Sequence, residues 1–191
     1  MSDNIDDVQI HQIVQRVLKQ TLGAPQPGLE AAQPVPSTLS QRKVVAIGAD
    51  HGGFELKEAL KSEIKSLGFE IQDVGTNSKD AVDYPDFAQA VAELVSAGKA
   101  WRGIMIDGAG IGSCIVANKV PGVRAGMGYD ISSASNSREH NDTNVLTLGA
   151  GLIGVNLAKQ IVKIWLTTDF GGGRHTPRVE KIKSVEKKYL K

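Results

Sequence analysis

The chain has one cysteine in 191 residues, few aromatic side chains (5%), and almost no net charge, with 22 Lys and Arg against 21 Asp and Glu. Each shortage excludes something. A single cysteine cannot close an internal disulfide. Balanced charge leaves no electrostatic footprint for nucleic acid or an anionic membrane, so the expected partner is a small molecule or another protein. No apolar run reaches spanning length, and the first residues lack the basic-then-apolar order of a secretory signal, so a cytoplasmic location away from the membrane is expected. The length suits one ordinary domain with an appendage.

Proline is scarce outside one stretch: four of the seven are Pro25, Pro27, Pro34 and Pro36. Residues 24–42 therefore read as a Pro-rich linker. Ahead of it, residues 1–23 place Ile10, Ile13, Val14, Val17, Leu18 and Leu22 at three-and-four spacing. Acids lie early and Arg16 and Lys19 late, as a helix dipole prefers. Such an amphipathic helix either folds back on its own domain or docks on something else, and a long tether favours docking.

From residue 43 to 191 short apolar segments alternate with amphipathic ones. "KVVAIGAD", "FEIQDVG", "WRGIMID", "GVRAGMG" and "NVLTLG" read as strands, and the stretches between them as helices, including one near 112–120. The stripe Leu56, Leu60, Ile64 and Leu67 is typical. Strict alternation predicts an α/β fold, a parallel sheet with helices on both faces. Function in such a sheet collects beyond the carboxyl ends of the strands, where Asp50, His51, Asp107 and the glycines after it fall.

The turn "DGAGIG" ends a strand and opens a helix. Its bare backbone N–H groups suit an anion or a developing oxyanion, or the turn simply needs small residues. Its spacing is not the dinucleotide fingerprint, and no suitable acid ends the next strand, so NAD is not expected. Asp107, ending a buried strand, is either a loop cap or a desolvated general base. Cys114 reads as core filler. "SREHNDTN" ends a helix with His140 among Asn141 and other polar groups. "GGGRHTPR" carries Arg174 and Arg178 at a spacing that suits a forked anion site or a solvated basic face.

Together "GADHGGFELK", "DVGTNSKDAVDYPDFA", "GAGIGSCIVANKVPGVRA", "SREHNDTNVLTLGA" and "GGRHTPRVEKI" closely resemble the ribose-5-phosphate isomerase B family, which includes the galactose-6-phosphate isomerase subunits. The resemblance implies a Rossmann-like three-layer sandwich with a five-stranded parallel sheet. It implies a homodimer or dimer of dimers whose active site is shared between subunits, with no metal and no redox cofactor. The implied reaction interconverts D-ribose 5-phosphate and D-ribulose 5-phosphate through a cis-enediol, one base moving a proton between C2 and C1. By position, Asp50 would bind substrate hydroxyls, and His51, Arg174 and Arg178 the phosphate. His140 would assist ring opening from the neighbouring subunit and Asn141 would hold a hydroxyl. Tyr84 would pack on the sugar, and Gly108, Gly110 and Gly112 would offer backbone donors to the enediolate.

Three features depart from the family pattern: the base, one loop hydroxyl and one phosphate-site arginine. Asp107 stands where many members carry a cysteine base, and Ser113 where others carry a glutamate base. Ala109 replaces a common Thr or Ser, and Gly151 an arginine that often adds to the phosphate site. Ordinary members lack the amino-terminal extension. Residues 1–23 are similar to the encapsulation peptides that load enzymes into bacterial microcompartments, which implies a shell or cargo protein as partner.

Overall fold

Val, Ile and other apolar side chains fill the segments expected to be strands, and all five form in the computed structural model, which describes residues 43–190. They are β1 (Val44–Ala49), β2 (Glu70–Asp73), β3 (Arg102–Asp107), β4 (Ala125–Met127) and β5 (Val145–Gly149). All pair in parallel in the order β2-β1-β3-β5-β4. Parallel neighbours need crossovers, which are supplied by α1 (Phe54–Ser66), α2 (Tyr84–Ser96), α3 (Ile111–Ala117) and α4 (Ile131–Glu139). After β5 come α5 (Val155–Thr167), a 3-10 turn (Gly173–His175) and α6 (Thr176–Tyr189). The expected amino-terminal helix and linker lie outside the described residues. Among the described residues no helix is long and apolar enough to cross a membrane.

The period of two along each strand sorts side chains to two cores. Val45, Ile47, Ile104, Ile106, Leu146 and Leu148 pack against α1, α4 and α5, around the fully buried Trp165. Ala46 and Val145 face α2 and α3 on the other side. That second face is built close. A Cβ at Gly103 would stand 2.5 Å from Val91, so the bare strand lets α2 lie against the sheet. α3 ends at Ala117, earlier than its periodicity predicts, because Asn118 leaves the helix. Its side chain pairs with Ala125, donating to the carbonyl at 3.1 Å and accepting from the N–H at 2.9 Å.

The buried cations Lys57 and Arg102 are not visible in the apolar pattern. Lys57 is fully buried within the α1 stripe, its Nζ 2.7 Å from both oxygens of Asp73 at the end of β2. Asp73 also accepts from the Gly75 N–H at 3.0 Å. Gly75 and Thr76 in turn bond Ala49, one residue before Asp50, so the pair braces the carboxyl end of β1. Arg102 lies under α5 with its guanidinium 4.0 Å from the Trp101 ring centre, donating to the carbonyls of Trp165, Leu166 and Thr168. Those are the last carbonyls of a helix, where a cation is favoured.

Candidate active site

The chain leaves β1 for β2 on one side and returns to β3 on the other, so the β1–β3 crevice is the topological switch point. Asp50 stands there. Its backbone N–H donates to Ile106, its Oδ1 accepts from the Gly53 N–H at 2.9 Å, and it is 8% exposed. A Cβ at Gly53 would lie 2.4 Å from the Ile106 carbonyl oxygen, so only glycine lets α1 start this close to β3. His51 is exposed, with Nδ1 within 3.2 Å of the backbone of Val82, which leaves Nε2 as its outward nitrogen.

Asp107 ends β3 at 4% exposure. Both its oxygens are occupied by the loop that follows. Oδ1 accepts from the N–H groups of Ala109, at 2.8 Å, and of Gly110; Oδ2 accepts from the Ser113 N–H at 3.2 Å and the Ser113 hydroxyl. The turn closes because Gly110 takes a left-handed φ of 78°, where a side chain is disfavoured and a Cβ would press on Leu148. This changes one expectation: the Gly110 N–H faces Asp107 and not a substrate oxygen. Among the described residues the Gly108 and Gly112 N–H groups have no acceptor, so those two remain available to a ligand. The β5 end supports the turn from behind, through the Ala150 N–H to the Asp107 carbonyl and the Gly151 N–H to that of Gly108.

Tyr84, at the start of α2, lies over this turn. A Cβ at Gly112 would stand 2.5 Å from the Tyr84 hydroxyl, so glycine here is what lets the phenol approach. Cys114 faces away, its Sγ 3.6 Å from the Ala125 carbonyl, and it is half-buried outside the two apolar cores, less enclosed than core filler would be; burial pushes its thiol up.

A second group gathers elsewhere. His140 caps the end of α4, its Nδ1 2.9 Å from the Asn136 amide, and its ring stacks on His175 with centres 4.1 Å apart and planes 11° apart. Arg174 Nε lies 3.4 Å from His175 Nε2. Burial, followed by the charges of His140, Arg174 and Arg178, holds His175 below the usual histidine range. An anion placed here would reverse that repulsion. In the sequence His175 stands between the two arginines with nothing to give it a role; only the fold stacks it on His140. Asn141 turns elsewhere, into a groove of about 530 Å³ between β4 and α6.

The two groups sit at opposite edges of the sheet. Asp107 pairs with Gly149 at the carboxyl edge, four rungs beyond the Gly103–Val145 pair, about 13 Å along the strands. His140 precedes β5 and lies at the amino edge with His175 and Arg174. The fold therefore brings Asp50, His51, Tyr84 and Asp107 together, and His140 and Arg174 together, without joining the two sets in one chain. Among the described residues no cluster of three or more His, Cys, Asp or Glu side chains could hold a metal ion.

Comparison with known proteins places this architecture. A family model described as Ribose/Galactose Isomerase matches residues 45–182. The chain belongs to the ribose/galactose isomerase family. This family member is 49% identical to ribose-5-phosphate isomerase B of Clostridium thermocellum in a solved structure that covers 76% of this chain and 99% of that one, with a TM-score of 0.75. It is 44% identical to ribose-5-phosphate isomerase B of Escherichia coli over 76% of this chain and 98% of the relative. It is also 42% identical to a D-erythrulose-4-phosphate isomerase of Pectobacterium atrosepticum, over 72% and 91% of the two chains. The fold is the five-stranded Rossmann-like sandwich of those isomerases, and the reaction type of the family is aldose–ketose isomerisation.

Proposed function

We propose that this chain interconverts D-ribose 5-phosphate and D-ribulose 5-phosphate through a cis-enediol. The observation that carries the reading is a buried carboxylate, Asp107, held in a glycine turn at the switch point, with the Gly108 and Gly112 N–H groups unspent beside it. Asp107 takes the proton from C2 and returns it to C1. The two N–H groups meet the enediolate oxygen, where donors aimed at developing charge lower the barrier most. Asp50 holds hydroxyls, His51 turns Nε2 to the ligand and Tyr84 covers the sugar.

The phosphate clamp of Arg174 and Arg178, with His140 and Asn141, comes from a second copy. A two-fold axis across the strand direction sets each amino edge against the partner's carboxyl edge and builds two sites at once. The carboxyl edge is suited to such burial. Ile111, Ile115, Tyr129, Ile131, Leu152 and Val155 are all at least 38% exposed there, and large apolar side chains gathered at one edge suit a protein interface. A homodimer or dimer of dimers follows from this reading.

Two relatives of nearly equal identity act on sugars of different length, so the substrate is tested directly. The expected result is a kcat/KM on D-ribose 5-phosphate at least about tenfold above that on D-erythrulose 4-phosphate, a gap of about 1.4 kcal/mol. The reverse order would assign the shorter sugar. Gly112→Ala is expected to displace Tyr84 and raise KM about three- to tenfold, the worth of one aromatic contact, with the thermal midpoint nearly unchanged. An unchanged KM would remove Tyr84 from the sugar site.

Residues 1–23 act in this reading as an encapsulation peptide that draws a cytoplasmic enzyme into a bacterial microcompartment by docking on a shell or cargo protein. Their apolar stripe and Pro-rich tether support it. Removing residues 1–42 is expected to leave turnover intact and abolish co-sedimentation with shells. Lost turnover would mean that the segment packs on the catalytic domain.

A further inference from the structure

We propose that Ser113 is a positioning residue whose hydroxyl controls proton uptake by Asp107. This rests on the reading of Asp107 as the base. A carboxylate offers about four lone-pair sites, and Asp107 meets four donors: two N–H groups on Oδ1, and an N–H and a hydroxyl on Oδ2. Nothing is left to receive a proton until one donor gives way.

Three of the four cannot. The N–H groups of Ala109, Gly110 and Ser113 are fixed by the left-handed Gly110 and the first turn of α3, and turning one aside would unwind the loop. The Ser113 hydroxyl is the one donor that rotates about a single bond, and it also carries lone pairs, so it can accept where an N–H cannot. With Asp107 ionised, the hydroxyl donates to Oδ2 at 2.5 Å. As the C2–H bond breaks, its electron pair becomes the enediolate double bond and the proton forms an O–H bond on Asp107. The Ser113 hydroxyl swings off Oδ2 at that moment and returns when the proton is delivered to C1. Ser113 exchanges no atom with the substrate. It is fully buried beneath the turn, so it acts through Asp107.

Few other titratable groups compete for this role. Asp50 stands across the β1–β3 pair and Tyr84 lies over Gly112. Cys114, the next residue on α3, points to Ala125, and residues 149–157, from the end of β5 into α5, bring none.

The test is steady-state kinetics of the full chain on D-ribose 5-phosphate beside its thermal unfolding. Ser113→Ala is expected to lower kcat about tenfold with KM within about twofold, and Ser113→Thr, which restores a rotating hydroxyl, to bring kcat back to within about twofold of the parent. An unmoved kcat in folded Ser113→Ala, with turnover lost in Asp107→Asn, overturns this proposal alone. Turnover retained by Asp107→Asn overturns the base assignment and this proposal with it.

Discussion

Asp107→Asn is expected to lower kcat on D-ribose 5-phosphate about 10³-fold with KM changed less than about threefold, in the middle of the range that general-base removal produces. The substitution keeps the shape of the side chain and replaces one acceptor oxygen by an N–H₂ group. Its amide oxygen can still accept from Ala109 and Gly110, and its N–H₂ can face Ser113, whose hydroxyl turns to accept. Only the Ser113 N–H then loses its partner, a cost of about 1–3 kcal/mol. A chain of this size should show that as a thermal midpoint lower by roughly 2–4 °C for each kcal/mol. Folding therefore survives and the chemistry does not. A variant that turned over at the parent rate would make Asp107 the loop's cap and nothing more.

The second large effect tests the shared site. Asp107→Asn chains and Arg174→Ala/Arg178→Ala chains, each inactive alone, are expected to recover about a quarter of the parent activity per chain when co-expressed. The fraction follows from two-fold symmetry: half of randomly paired dimers are mixed, and each mixed dimer holds one site with both defects and one with neither. Activity no greater than the sum of the separate variants would mean that the amino and carboxyl edges of different copies do not meet. Since strand direction places His140 and Asp107 at opposite edges of one sheet, some other source would then be needed for the phosphate clamp.

Most of the fold was legible because period-two and period-3.6 patterns alternate cleanly from residue 43 onward, and a parallel sheet follows from alternation alone. The acid and glycines at the end of β3 stood out for the same reason, polar or bare residues where an apolar run should continue. What stayed hidden depends on partners distant in sequence. Lys57 sits inside an apolar stripe and is buried only because Asp73 receives it. The saturation of Asp107 arises from the path of the backbone through Gly110, which the order of residues does not give. Ser113 shows in the sequence only as the absence of a glutamate, whereas its hydroxyl reaches Asp107 through the first turn of α3, six residues along the chain. His175 stacks on His140 across thirty-five positions through the turn that follows α5.

Asp107 moving a proton between two carbons of one sugar is the step from which every other proposed role follows. The most direct measurement is a proton NMR time course of D-ribose 5-phosphate in deuterium oxide, with the parent chain beside Asp107→Asn. The parent chain should form ribulose 5-phosphate, with deuterium at C1 in the fraction of turnovers in which the proton on Asp107 exchanges with solvent before its delivery, while the variant does neither on the same timescale. Conversion and exchange at equal rates in both chains would contradict it.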